Sequence, residues 1–203
     1  WSSDVCSSDL VSLSAMKIMI TGGLGFVGSH LADKLEENHK LILITKSLSK
    51  IQNISNLRKK IQLEKVDITN FKKLGEIIEK HEPDSIIHLA GQTSHSKSFE
   101  NPQYDVDINA KSTLFILEKI RKLDLKCRFV LGSTFVVVGR PKKLPVNEET
   151  PCNPTTIYGV NRLAGEYYCK IYESLYGLDT VSFRITNSFG PREQYIPNKN
   201  AVN

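Results

Sequence analysis

The chain has no apolar run near the roughly 18 residues needed to cross a membrane, and its start lacks the basic stretch and following apolar run of a secretory signal. No membrane partner is expected, and the cytoplasm is the default compartment. Cysteine is scarce: Cys6, Cys127, Cys152 and Cys169 lie far apart. They lack the close-paired spacing of a metal site, so no metal is expected and the thiols read as ordinary reduced residues. Lys and Arg outnumber Asp and Glu by 27 to 22, but the signs are interspersed. No aromatic residues interleave the densest basic stretch, residues 46–60 with Lys46, Lys50, Arg58, Lys59 and Lys60. Most such clusters are solvated faces, and no nucleic-acid partner is expected. Internal repeats are also missing from residue 16 onward. The 203 residues, 40% hydrophobic, supply enough apolar material for one sizeable domain.

The first fifteen residues stand apart. Ser2-Ser3-Asp4-Val5-Cys6 is followed at once by Ser7-Ser8-Asp9-Leu10, a short tandem copy unrelated to anything downstream. It resembles translated adapter sequence, so the native chain is expected to begin near Met16. At the other end, residues 195–203 stop in a polar, Pro-containing stretch.

Between these ends, strand-like and helical runs alternate. Residues 17–21, 41–45, 61–66, 85–89, 128–131 and 180–184 read as strands. Helices are expected to about residue 37, over the Phe71, Leu74, Ile77 and Ile78 face, through Leu114, Leu117 and Ile120, and from about 158 to 176. Gly177 serves as the last stop. This rhythm implies an α/β domain whose parallel sheet is covered on both faces, with ligands at the carboxyl ends of its strands.

Gly22, Gly25 and Gly28 fall in one sharp turn between the first strand and a helical stripe of Val27, Leu31 and Leu35. Glycine there lets the backbone approach a pyrophosphate, whose charge meets the free N–H groups and positive end of the new helix. The spacing therefore predicts a dinucleotide-phosphate cradle, with Phe26 and Val27 at the helix start.

Tyr158 and Arg162 lie four apart at the start of a helix and share a face. A phenol with a pKa near about 10 is a poor base unless a fixed cation favours its phenolate. The same spacing also fits an ordinary surface Tyr–Arg pair. Gly132-Ser133-Thr134 ends a strand at the edge where the cradle opens, so Thr134 can hydrogen-bond a substrate oxygen or simply satisfy backbone.

Taken together, the turn at residues 22–28, His88-Leu89-Ala90-Gly91, Ser133-Thr134, Tyr158-Gly159-Val160-Asn161-Arg162 and Arg184-Ile185-Thr186-Asn187-Ser188-Phe189-Gly190-Pro191 resemble the extended short-chain dehydrogenase/reductases. More specifically they resemble the NAD-dependent epimerase/dehydratase group acting on nucleotide sugars, over about residues 16–192. The resemblance implies a Rossmann-type, doubly wound parallel sheet. It implies that Asp67 and Ile68 lie near the adenine, that Leu89, Ala90 and Gly91 with His88 line the cofactor, that Thr134 and Tyr158 act on the sugar, and that Asn187 contacts substrate phosphate. It further implies residues 16–190 as an NAD(P)-binding domain carrying the catalytic residues, and 191–203 as the start of a substrate-binding region cut short.

Three departures from the family pattern shape the expectation. Arg162 stands where the family has lysine; it keeps the charge but not an ammonium's contacts. Phe135 and Val136 follow Thr134 where dehydratases place an acidic pair, which disfavours dehydration. Lys46, rather than an acid, follows the second strand, so a 2′-phosphate would find a partner and NADP joins NAD as a cofactor. The expected protein is an NAD(P)-dependent nucleotide-sugar epimerase, a 4-epimerase, with Thr134, Tyr158 and Arg162 catalytic. An NADP-linked reductase or a non-catalytic cofactor-binding module are the alternatives. A nucleotide sugar is the expected partner, with a homodimer left open.

Overall fold

A computed structural model of the chain describes residues 15–57 and 61–193. Residues 1–14 of the leader with Cys6, the basic residues Arg58, Lys59 and Lys60, and residues 194–203 lie outside the described residues. Within the described residues, six strands form one sheet: β1 (Lys17–Thr21), β2 (Lys40–Thr45), β3 (Gln62–Lys65), β4 (Ser85–His88), β5 (Arg128–Thr134) and β6 (Thr180–Ile185). Their order is β3-β2-β1-β4-β5-β6, and every neighbouring pair is parallel. Helix α1 (Phe26–Leu35) joins β1 to β2, α2 (Phe71–His81) joins β3 to β4, and α6 (Ile157–Tyr176) joins β5 to β6. Between β4 and β5 run α3 (His95–Glu100), α4 (Pro102–Asp105), a π-helical stretch (Val106–Lys111) and α5 (Ser112–Lys122). This is the expected Rossmann-type doubly wound fold.

A strand buried on both faces needs apolar residues at successive positions, and β2 supplies Leu41, Ile42, Leu43 and Ile44, all buried. The pleat divides them. Ile42 and Ile44 join Met19, Leu74, Ile78, Ile86, Ile116, Leu117 and Phe129 on one face, whereas Leu41 and Leu43 join Ile18, Ile20 and Ala32 on the other. The second cluster thins toward β6, where Phe183 is 58% exposed.

Helix ends follow local chemistry. The Asn70 side chain accepts from Lys73 N–H to start α2, and Glu82 ends it in the left-handed region just before Pro83. The Thr156 hydroxyl accepts from Gly159 N–H at 3.0 Å to start α6, and Gly177, at φ +69°, ends it.

The structure differs from the sequence reading in detail. Strand β5 continues past Leu131 to Thr134, because β6 pairs with it as far as Thr134 opposite Ile185. Helix α1 stops at Leu35, short of residue 37. The short helices α3 and α4 and the π-helical stretch had no periodicity to reveal them; α4 starts at Pro102, capped by the Asn101 side chain.

Phe129 is fully buried at the centre of the larger cluster. Phe129→Ala is expected to lower unfolding stability by about 3–5 kcal/mol. A urea midpoint equal to that of the wild type would contradict this placement.

Candidate active site

The strand order switches from one side of β1 to the other between β3 and β4, and the crevice opens at the carboxyl ends of β1 and β4. On the β1 side, Gly22 has φ +72°, and Gly25 N–H returns to Gly22 O at 2.8 Å. A Cβ at Gly28 would lie 2.3 Å from Gly22 O, so only glycine lets α1 start this close to β1. No side chain caps α1 at Gly25. Its first N–H groups are therefore left for a ligand, as an anion cradle requires. Gly23, not singled out above, is needed too: its Cβ would meet Leu43 Cβ at 2.8 Å.

The floor of the crevice is held by a buried polar chain. Ser112 Oγ donates to Ile108 O at 2.7 Å, so it must accept from His88 Nε2–H at 3.1 Å. His88 Nδ1 is thus the acceptor for Thr21 Oγ1–H at 2.8 Å, and Thr21 Oγ1 in turn accepts from Leu89 and Ala90 N–H, each at 3.1 Å. Burial, with the Arg162 charge nearby adding to it, pushes the His88 pKa down to about 3. The ring stays neutral and fixes the turn from β4 into the floor.

Two pockets flank that floor and share Thr93. The first, about 510 Å³, is lined by Phe26, Val27, Leu89, Thr134, Tyr158, Arg162 and Asn187. The second, about 600 Å³, is lined by Gly22, Gly25, Lys46, Asp67, Ile68, Ala90 and Gly91. Gly28 lies in the turn beneath them and lines neither. The fold therefore brings the sequence-predicted residues to one crevice.

In the first pocket, Tyr158 and Arg162 are buried on the first turns of α6, with the guanidinium carbon 5.8 Å from the phenol ring centre. Arg162 is 2% exposed, and its Nε and Nη1 have no hydrogen-bond partner among the described residues. Thr134 Oγ1 accepts from Val136 N–H at 3.3 Å, which leaves its own O–H to donate. His95, which no spacing pointed to, sets its ring edge-on to Tyr158 with centres 5.6 Å apart. Asn187 reaches the pocket on a segment anchored to α1: His30 Nε2–H donates to Pro191 O at 2.9 Å, and Arg192 pairs with Asp33 at 2.7 Å.

Around this turn of α6 the supports are ionic. Asn161 Nδ2 donates to the fully buried Asp105, which also accepts from Gln92 Nε2, each at 2.8 Å. One turn on, Glu166 accepts from Ser133 Oγ at 2.5 Å and pairs with Arg184 of β6 at 2.8 Å. These bonds tie α6 to the floor, β5 and β6.

In the second pocket, Lys46 is not free. Its ammonium lies 2.8 Å from Asp67 and 3.3 Å from the Tyr104 hydroxyl. Burial pushes the Asp67 carboxyl up, but the bonds from Lys46 and from Thr69 outweigh it and hold the pKa below the usual carboxylate value. The absence of an acid after β2 is thus met by an acid from the end of β3. Elsewhere, burial raises the Cys127 thiol to about 12 and the Cys169 thiol to about 11, consistent with inert structural cysteines.

The residues fit a dinucleotide. The glycine cradle would be filled by any Cβ, the helix start lacks a cap, and the orphaned Arg162 donors face no protein acceptor. Such a site defines the class of α/β proteins that bind dinucleotides at the β1 to β4 switch.

The sequence matches, over residues 19–202, the family model described as GDP-mannose 4,6 dehydratase. The chain belongs to this family, within the NAD-dependent epimerase/dehydratases of the extended short-chain dehydrogenase/reductases. A provisionally named UDP-glucose 4-epimerase of Methanocaldococcus jannaschii is 40% identical over 176 residues, covering 87% of this chain and 57% of the relative. The crystal structure of UDP-glucose 4-epimerase from Thermotoga maritima with UDP-glucose superposes with a TM-score of 0.81 at 32% identity, over 88% of this chain and 58% of that one. The UDP-glucuronic acid 4-epimerase from Bacillus cereus, in complex with UDP-glucuronic acid and NAD, gives 0.78 at 30% identity, over 88% and 59%. The chain thus spans little more than half the length of these proteins.

The buried neutral His88 makes stability depend on pH. An unfolded-state imidazole titrates near about 6.5, so the contribution is complete above that pH and is lost as pH falls toward the folded value. Between about pH 7 and pH 5, stability should fall by up to roughly 1.4 kcal/mol per unit from this group, and His88→Gln should flatten the fall. Urea unfolding at several pH values measures it; an equal slope in the variant would contradict the assignment.

Proposed function

We propose that the full-length protein is an NAD(P)-dependent nucleotide-sugar 4-epimerase. The observation that carries this reading is the pocket shared by Thr134, Tyr158, Arg162 and Asn187, which adjoins the pocket of the dinucleotide cradle at Thr93. In this reading Tyr158 takes the proton of the sugar hydroxyl, and Thr134 donates to the same oxygen. Arg162 favours the phenolate, and its unpaired donors meet the cofactor. The nicotinamide, when bound, supplies the hydride acceptor and donor that changes the configuration of the carbon. Asn187 holds the nucleotide phosphate while the oxidised sugar turns over within the pocket. Phe135 and Val136 also line that pocket. Neither can move a proton, which supports epimerisation over loss of water even though the family's description names a dehydratase.

The similar solved structures support the same substrate class, since the Thermotoga maritima enzyme holds UDP-glucose and the Bacillus cereus enzyme holds UDP-glucuronic acid and NAD. The test is to offer UDP-, dTDP-, GDP- and CDP-hexoses and follow both the sugar and the cofactor. Interconversion of C4 epimers without net change in reduced cofactor is expected. Net consumption would establish the reductase alternative, and neither change the non-catalytic one. Tyr158→Phe should abolish turnover with cofactor affinity within roughly twofold, because only the acid-base oxygen is removed. Near-wild-type turnover in that variant would exclude Tyr158 as the acid-base group.

Cofactor choice turns on Lys46. We propose that it serves a 2′-phosphate, so the protein binds NADP at least as well as NAD, although Asp67 competes for the ammonium. Asp67→Asn should favour NADP and Lys46→Asp should favour NAD, with shifts up to about tenfold once exposure of the ammonium is allowed for. Titration of both cofactors into each variant decides. Ratios that do not move would return Lys46 to a surface role.

A further inference from the structure

Gly91 lies on the crevice floor beside α6, and the guanidinium of Arg162 fills the space that a side chain at 91 would take. A Cβ there would lie 2.0 Å from Arg162 Nη2, 2.9 Å from its Cζ and 2.7 Å from Asn109 Oδ1. Separations that short cannot persist. The backbone itself does not demand glycine, since Gly91 is not among the positive-φ residues. The nearest atoms to that Cβ all belong to the Arg162 and Asn109 side chains, in contrast to Gly28, whose Cβ would strike backbone. The obstacle at 91 is therefore the far end of a flexible side chain.

That side chain is weakly tethered for a buried cation. Among the described residues, Arg162 Nε and Nη1 make no hydrogen bond, and neither does Asn109 Oδ1. Asn109 keeps its bond through the other amide atom, Nδ2 donating to Gln92 O at 3.0 Å, while its Oδ1, bonded to nothing among the described residues, has only a few tenths of an ångström to retreat in either background. A methyl group at 91 would displace the guanidinium first. A planar fork also needs more lateral room than an ammonium on a slender stem.

We propose that Gly91 is a positioning residue: its missing side chain is what seats Arg162, so positions 91 and 162 form a coupled pair in which arginine requires glycine and lysine does not. The inference rests on the reading above that Arg162 meets the cofactor. The coupling itself is a property of the protein and is measured separately.

The experiment is a double-mutant cycle in the full-length protein with Gly91→Ala, Arg162→Lys and the pair, reading cofactor affinity by NAD and NADP titration and Tm without cofactor. Gly91→Ala alone should weaken cofactor binding by about tenfold or more, but by less than about twofold when added to Arg162→Lys. Equal losses in the two backgrounds, or no loss in either, would overturn the proposal. If Gly91→Ala fails to fold, a folded double variant matching Arg162→Lys in affinity supports it, and a double variant that also fails overturns it. If no variant binds cofactor, the wild type included, the functional reading fails. The Tm values still decide the pair: a drop on Gly91→Ala confined to the arginine background supports coupling, and an equal drop in both overturns it.

Discussion

The approach of α1 to the end of β1 is the constraint on which the crevice depends. Gly28 stands so close to the Gly22 carbonyl that a single methyl group would have to push the helix outward. Moving the helix would carry its uncapped N–H groups away from the place where a pyrophosphate would lie, and with them Phe26 and Val27, which form one wall of the first pocket. It would also disturb the segment carrying Asn187, because His30 and Asp33 on α1 hold Pro191 and Arg192. One backbone contact thus positions the cofactor cradle, a pocket wall and a proposed phosphate ligand.

Around that contact, buried polar groups fix the remaining geometry by being fully used. The chain from Ser112 through His88 and Thr21 to the Leu89 and Ala90 amides leaves one tautomer for the imidazole and one position for the floor. Asp105 and Glu166 do the same for α6, one on the side of the floor and one on the side of β6. Arg162 differs, because its Nε and Nη1 have no partner among the described residues. Buried donors without a protein acceptor are unfavourable for the protein alone, and a ligand hydroxyl or phosphate oxygen would relieve that. The contrast between satisfied supports and an unsatisfied cation separates scaffold from binding site.

Much of this was legible in the sequence because it rests on local rules. The apolar run of residues 41–44 in β2, the glycine turn and the helix from about 158 to 176 with its stop at Gly177 each follow from patterns within a few residues. So does the pairing of Tyr158 with Arg162 on one helical face. What escaped depends on contacts between distant residues. The partner of Lys46 comes from the end of β3, and Tyr104 joins them from α4, an element with no apolar period. His95 approaches Tyr158 from the start of α3, a short polar helix in which a lone histidine carries no spacing signal. The reach of β5 to Thr134 depended on β6, whose pairing no window of β5 contains.

The central claim is the proposal that the sugar is oxidised and reduced at one carbon, with Tyr158 handling only the oxygen-bound proton. The most direct measurement uses a nucleotide hexose carrying deuterium at C4, with the full-length protein and its bound cofactor in ordinary water. The account predicts that the epimer keeps its deuterium at C4, because the hydrogen leaves and returns without meeting solvent. Epimer formed with deuterium lost to water would mean that a base removes the carbon-bound proton, and would contradict it.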